Sequence, residues 1–240
     1  MKKSVTVVLT NILLATLFTA APAAQATTAR AVHDCTVPEY SNFSELAGCE
    51  TENVDYRRIK RTPAGATVAH IAIHGGSIEA PTTQLADYAA GATNAFYSFE
   101  GIKSSGNSKL HITSTAFDEP RGVGVVTNSD HTVSWHGTSG TTATTYVGGR
   151  DTAAIARVRA ELIAEGFHVT EPVPPDLNGN STANIVNRNS RGMGVQLEIT
   201  RAQREAFFSG GTLTRSWIED PANRTLDFYR YVTAVNRALL

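Results

Sequence analysis

Val68-Ala69-His70-Ile71-Ala72-Ile73-His74-Gly75-Gly76-Ser77-Ile78-Glu79 is the stretch on which the fold turns. From Val68 to Ile73 it is a compact β-branched and apolar run, the pattern of an inner strand. The run ends in a histidine, and two glycines then permit a tight turn and close backbone approach. Glu79 returns five positions after His74. A second strand-like run, Thr132 to Trp135, ends the same way, in His136-Gly137.

Outward from these two runs, strand-like and helix-like segments alternate. Tyr40 to Glu50 reads as a short helix and Thr82 to Ala90 as another. Phe96–Phe99, Leu110–Thr113, Thr144–Val147 and Phe167–Thr170 read as short strands. Asp151 can cap a helix from Thr152 to Glu165, with Ile155, Val158 and Leu162 on one face and Gly166 as its stop. Val195 to Ile199 alternates apolar and polar positions, as a strand does. Asp220-Pro221 opens the last helix, whose buried stripe is Phe228, Val232, Val235 and Leu239. The alternation predicts an α/β fold: a single domain over residues 40–240, with a parallel or mixed β-sheet flanked by helices on both faces. Sites in such sheets gather at the carboxyl ends of the strands.

The 240 residues are 41% hydrophobic and 18% charged, which excludes both a disordered chain and a polytopic membrane protein. A formal charge of -1 gives no basic footprint, so no nucleic-acid partner is expected. Lys2 and Lys3 precede an apolar stretch from Val5 to Phe18, too short for a membrane span, and Ala24-Gln25-Ala26 is an A-x-A cleavage pattern. Residues 1–26 therefore read as a secretory signal peptide and residues 27–39 as a flexible lead-in. The mature chain is expected to be extracellular or periplasmic, free of the membrane after cleavage, and monomeric. Export changes how the cysteines read. Cys35 and Cys49 are the only pair, and in an oxidising compartment they are expected to form a disulfide. The closed loop stabilises by about 3 kcal/mol in the chain-entropy model.

Several side chains could carry chemistry. An imidazole and a carboxylate meeting at one point can ligate zinc, which takes both donor types. Taken alone, the His74–Glu79 spacing fits a capping histidine and a solvated glutamate better. The repeated strand–histidine–glycine pattern raises a metal site to equal standing, because two histidines and a glutamate are a recurrent catalytic zinc set. His70 lies inside its strand as a core residue, and His111 is a weaker candidate. The segment Asn187-Arg188-Asn189-Ser190-Arg191-Gly192-Met193-Gly194-Val195-Gln196-Leu197-Glu198 leads an arginine-bearing loop into a strand with an acid near its end. Glu198 there suits a general base. Arg188 and Arg191 suit a carboxylate, which the planar guanidinium binds with two donors. Read alone, the same segment is a surface strand glutamate paired with a loop arginine. Phe117-Asp118-Glu119-Pro120 reads as a turn with solvated acids. No H-E-x-x-H, G-x-S-x-G or P-loop motif is present.

In this order the motifs His74-Gly75-Gly76…Ile78-Glu79, Leu110-His111-Ile112-Thr113-Ser114-Thr115, Phe117-Asp118-Glu119-Pro120, Tyr146-Val147-Gly148-Gly149 and Asn187-Arg188-Asn189…Gly194-Val195-Gln196-Leu197-Glu198 resemble the poly-γ-glutamate hydrolases of bacteriophages and bacteria. The resemblance covers roughly Tyr40 to Arg204. It implies a trimmed zinc carboxypeptidase-like (phosphorylase/hydrolase-like) fold and a Zn²⁺ amidohydrolase of γ-glutamyl amides. It further implies zinc ligands His74, Glu79 and His136, with Glu198 as general base. Arg188 would face a substrate carboxylate, with Arg191 beside it. Ala80-Pro81-Thr82-Thr83 and Ala116 depart from the family's pattern, and these departures bear on substrate preference more than on zinc.

The leading expectation is a secreted zinc hydrolase acting on poly-γ-glutamate or another γ-glutamyl polymer or peptide. One alternative is a zinc peptidase cutting the γ-D-glutamyl bonds of peptidoglycan stem peptides. The other is a non-catalytic polymer-binding module, in which an acid at position 198 would hardly matter.

Overall fold

The computed structural model describes residues 1–4 and 33–239. Apart from residues 1–4, the expected signal peptide and the lead-in as far as residue 32 lie outside the described residues. Residues 33–39 carry no helix or strand, and the Cys35–Cys49 disulfide ties them to α1 (Phe43–Cys49). No described helix is long and apolar enough to cross a membrane.

Six strands form one mixed sheet: β1 (Tyr56–Arg61), β2 (Val68–Gly76), β3 (Ala95–Gly101), β4 (His131–Thr138), β5 (Thr145–Gly149) and β6 (Val195–Thr200). Their order is β1-β3-β2-β4-β6-β5. The four central strands run parallel, and β1 and β5 close the edges antiparallel. β2 is buried almost throughout, as its apolar run requires.

The two-residue alternation of strand side chains sorts the sheet into two unlike faces. On one face Phe96, Val133, Trp135, Val195, Leu197 and Ile199 pack beneath α2 (Thr82–Ala90), α4 (Thr152–Ala164) and α7 (Leu226–Arg237). On the other, Ile71, Ile73, Tyr97 and Phe99 pack with α1 and α3 (Pro120–Thr127). That second apolar cluster does not include β4 or β6. Their residues of the opposite parity are Ser134, His136, Gln196 and Glu198, a polar row on adjacent parallel strands. Two short helices, α5 (Arg201–Ala206) and α6 (Arg215–Ile218), complete the helical elements between β6 and α7.

Several expectations need correction. Leu110–Thr113 is not a strand. A 3₁₀ turn over Asn107–Leu110 continues into irregular backbone, where the His111 and Ile112 amides bond locally to Ser108 and Leu110. Phe167–Thr170 makes only a single bridge, Val169 to Thr145. Asp220-Pro221 caps a 3₁₀ turn, and the last helix starts at Leu226 after Thr225. β1 had no apolar signal because it is a charged edge strand, and such charge discourages pairing with other chains.

The Phe117–Pro120 turn is the start of α3, and its acids are not both solvated. Glu119 is fully buried, and its carboxylate accepts from the α3 amides of Arg121 and Gly122. It also accepts from Arg58 Nη1 at 2.8 Å and from the Tyr97 hydroxyl at 2.5 Å. Gly122 is required beneath it, since a Cβ there would lie 2.7 Å from the Tyr97 ring. Removing one partner of such a buried network leaves the others desolvated and unpaired. Glu119→Ala is therefore expected to lower unfolding stability by about 3 kcal/mol, read from urea denaturation. A loss below about 1 kcal/mol would mean that the network does not hold α3.

Candidate metal centre

The carboxyl ends of β2 and β4 deliver His74 and His136 to one point, and the turn after β2 brings Glu79 back to meet them. The Glu79 amide donates to the His74 carbonyl at 2.9 Å, closing that turn. Gly76 holds a positive φ of 62° within it. Gly75 sits so close to its neighbours that a Cβ would lie 2.2 Å from Thr83 Oγ1. The two glycines thus have the role that the sequence assigns them.

His74 Nε2 lies 2.8 Å from the Ile112 carbonyl, which can only accept, so this nitrogen carries the proton. Neutral His74 therefore turns its Nδ1 lone pair toward Glu79 Oε1, 2.9 Å away. His136 Nε2 is engaged by Ser134 Oγ at 2.8 Å. His136 Nδ1 faces inward, 3.1 Å from His74 Nδ1 and 3.3 Å from Glu79 Oε2. The Gly137 amide donates to Glu79 Oε2 at 2.9 Å and fixes that carboxylate. Each inward nitrogen is thus oriented by a partner on the far side of its ring, the arrangement that metal-binding histidines use.

Two acceptors facing one another at 2.9 Å need a proton or a cation between them. Burial outweighs the pull of Glu79 and keeps the His74 pKa below its ordinary value, which disfavours the proton. Burial also works against charging Glu79, but His74, His111 and His136 outweigh it and hold its carboxyl well below the usual range. The same kind of balance leaves His136 raised: burial opposes its charge, and Glu79 and Glu198 overcome that opposition. Imidazole nitrogens with a carboxylate oxygen are a fitting donor set for zinc.

His111, the weaker sequence candidate, also reaches this cluster. Its Nε2 is 3.3 Å from Glu79 Oε1, and donor atoms of His74, Glu79 and His111 lie within 4.8 Å of one another. Its ring stacks on His74, with centroids 3.7 Å apart and planes 29° apart. A lone pair lies in the plane of its ring, so two stacked rings converge poorly on one ion. His74 and His136 meet edge-on at 68°, which lets their lone pairs converge. The strand that the sequence suggests around His111 is absent, so irregular backbone rather than a strand end positions it.

Glu198 lies beside His136 in the β4–β6 register and is nearly buried. Burial pushes its pKa up to about 7, with Glu79 adding to the shift against the pull of His136. Gln196, two residues earlier on the same strand face, donates to Glu198 Oε1 at 3.0 Å and itself accepts from Asn184. All of these groups open on a cavity of about 460 Å³, walled by Thr113, Ser114 and Thr115 on one side and by the Asp176–Ser181 segment.

The two arginines lie elsewhere, and neither lines this cavity. Arg188 donates to the carbonyls of Ala183, Phe117 and Thr115, tying the loop before β6 to the loop before α3. Arg191 pairs with Asp151 at 2.9 Å and contacts His131. This placement does not bring them to the cavity that holds Glu198, and the hydrogen bonds they make are within the chain. Sequence reasoning missed Ser134, Gln196 and Arg204 around the site. Strand alternation marks the first two as sharing a face with His136 and Glu198, and nothing in the sequence marks the third.

The chain matches the family described as poly-gamma-glutamate hydrolase over residues 40–234. It is 37% identical over 201 residues to the SPbeta prophage-derived UPF0714 protein YoqZ of Bacillus subtilis (strain 168), covering 83% of this chain and 70% of that protein. It is 35% identical to the UPF0714 protein YmaC of the same organism, covering 83% of each. Among solved structures, a bacteriophage poly-gamma-glutamate hydrolase superposes with a TM-score of 0.78 at 34% identity, covering 83% of this chain and 95% of that one. The zinc-free apo form of YndL superposes with a TM-score of 0.75 at 33% identity, covering 83% and 96%. With its motifs in order, its mixed sheet and its match over most of the chain, this protein belongs to the poly-γ-glutamate hydrolase family.

Proposed function

We propose that the chain is an exported, zinc-dependent hydrolase that cuts the γ-glutamyl amide bonds of poly-γ-glutamate. The observation that carries this reading is the facing pair of acceptors, His74 Nδ1 and Glu79 Oε1, with His136 Nδ1 alongside. YndL, a relative of similar fold, has a form described as zinc-free, which fits a family that binds this metal. His74, Glu79 and His136 would hold the ion. When bound, zinc supplies Lewis-acid chemistry, polarising a carbonyl and lowering the pKa of water toward ~7.

The chain's own residues do the rest. Glu198, with a pKa near neutrality, takes a proton from the attacking water and returns it to the leaving nitrogen. Gln196 holds that carboxylate in place. His74 and His136 keep their inward lone pairs aimed through the Ile112 carbonyl and Ser134. Since Arg188 and Arg191 are committed elsewhere, capture of the polymer's free carboxylates falls to hydroxyls and amides of the cavity wall, among them Ser114, Thr115 and Asn180, and to half-exposed His111. Export is supported by the basic, apolar, small pattern of the first 26 residues and by the Cys35–Cys49 disulfide.

Glu198→Gln preserves size and removes basicity. The variant is expected to keep zinc and to lose about 10²–10⁴-fold in kcat on poly-γ-glutamate. Near-wild-type turnover would contradict the role of Glu198. If the wild type releases products from peptidoglycan fragments and leaves poly-γ-glutamate intact, the substrate is the cell-wall peptide instead.

The ligand set is tested separately. Metal analysis of His74→Ala and His136→Ala should find most of the zinc lost, whereas His111→Ala should retain it. Loss in His111→Ala with retention in His136→Ala would exchange the two roles.

A further inference from the structure

Arg204 lies on α5, immediately after β6, and is 8% exposed. Its guanidinium makes three hydrogen bonds, each to a different part of the site. Nε donates to the Ile199 carbonyl at 3.1 Å, Nη2 to the Thr138 carbonyl at 3.1 Å, and Nη1 to the Ala80 carbonyl. Ile199 follows Glu198, Ala80 follows Glu79, and Thr138 lies two residues after His136. The guanidinium also packs on Gly137, where a Cβ would lie 2.6 Å from Arg204 Cζ. The amide of that same Gly137 donates to the Glu79 carboxylate.

Among the described residues no carboxylate forms a salt bridge with Arg204. Its partners are backbone carbonyls alone. Burial disfavours its charge, and Glu79, Glu205 and Glu198 offset this only through space, so it is not explained as a directly paired salt bridge. What its planar fork provides is direction, with donors fixed toward three acceptors at once. The ammonium of lysine is a compact point charge on a flexible stem and cannot span that set.

We infer that Arg204 is a positioning residue whose guanidinium clamps the three chain segments carrying Glu79, His136 and Glu198, so that zinc affinity and turnover depend on its fork and not merely on its charge. The inference rests on the zinc-hydrolase reading for its metal readout and on the fold alone for its structural one. It assigns Gly137 a second duty: the missing side chain lets the guanidinium lie flat against β4.

The test compares full-length wild type with Arg204→Lys and Arg204→Met. Zinc affinity is measured by chelator competition, kcat and KM on poly-γ-glutamate, and amide exchange at Gly137 in metal-free protein. Arg204→Lys is expected to weaken zinc binding about 10–100-fold, as losses of supporting contacts around metal ligands do. It should lower kcat more than it raises KM and speed Gly137 exchange about tenfold or more. Zinc affinity within about twofold of wild type, with unchanged kcat and unchanged Gly137 protection, would overturn the inference. If neither Arg204 variant folds, Gly137→Ala applies the same test by displacing the guanidinium without removing it, with the same expected and contrary results. A wild type that binds no zinc would refute the metal reading alone, since Gly137 exchange still decides the clamp.

Discussion

The hydrogen bond from His74 Nε2 to the Ile112 carbonyl fixes what the rest of the site can be. It places the only proton of a neutral imidazole on the outer side of the ring and leaves a lone pair aimed at a carboxylate. Burial lowers the pKa of the ring and so works against a second proton. The Gly137 amide holds the other carboxylate oxygen. Such an arrangement is electrostatically unfinished without a cation, and both histidines are oriented as if to receive one. The irregular loop that supplies the Ile112 carbonyl therefore matters as much to the site as the strands do.

The sheet makes this arrangement possible through its asymmetry. β4 and β6 use one face to anchor α4 and α7 with Trp135, Val133, Leu197 and Ile199. Their other face carries Ser134, His136, Gln196 and Glu198. Alternation thus puts core and chemistry on the same two strands, back to back. The facing cavity wall is added by the Asp176–Ser181 segment, which Gln196 contacts through the Leu177 carbonyl. On the proposed reading, the polymer meets hydroxyls and amides of that wall and His111 rather than an arginine fork.

The strand-end histidines were legible in sequence because both the period and its interruption are local signals. Val68–Ile73 reads as buried, glycines follow, and Glu79 returns at a distance that one turn can close. Glu198 was legible as the acid near the end of a strand, and alternation places Gln196 on its face, but nothing in the sequence says that the two side chains bond. For Arg188 and Arg191 the sequence leaves two roles open, because a guanidinium serves a substrate carboxylate and a chain carbonyl equally well; in the fold their hydrogen bonds stay within the chain. The place of His111 was not legible because the strand read over Leu110–Thr113 is irregular backbone, where alternation does not say which way a side chain points. α3 was missed because Gly122, Gly124 and three valines are poor helix formers. Its buried cap, Glu119, and the Tyr97 ring against Gly122 supply from outside what its propensity lacks.

The most direct test is the structure of the zinc-loaded protein, with the ion located by anomalous scattering at the zinc edge. One zinc is expected at about 2.0–2.2 Å from His74 Nδ1, His136 Nδ1 and a Glu79 oxygen, with Glu198 close by and not bound to the ion. An ion held through His111 in place of His136, or held by Glu198, or absent from this cluster altogether, would contradict it.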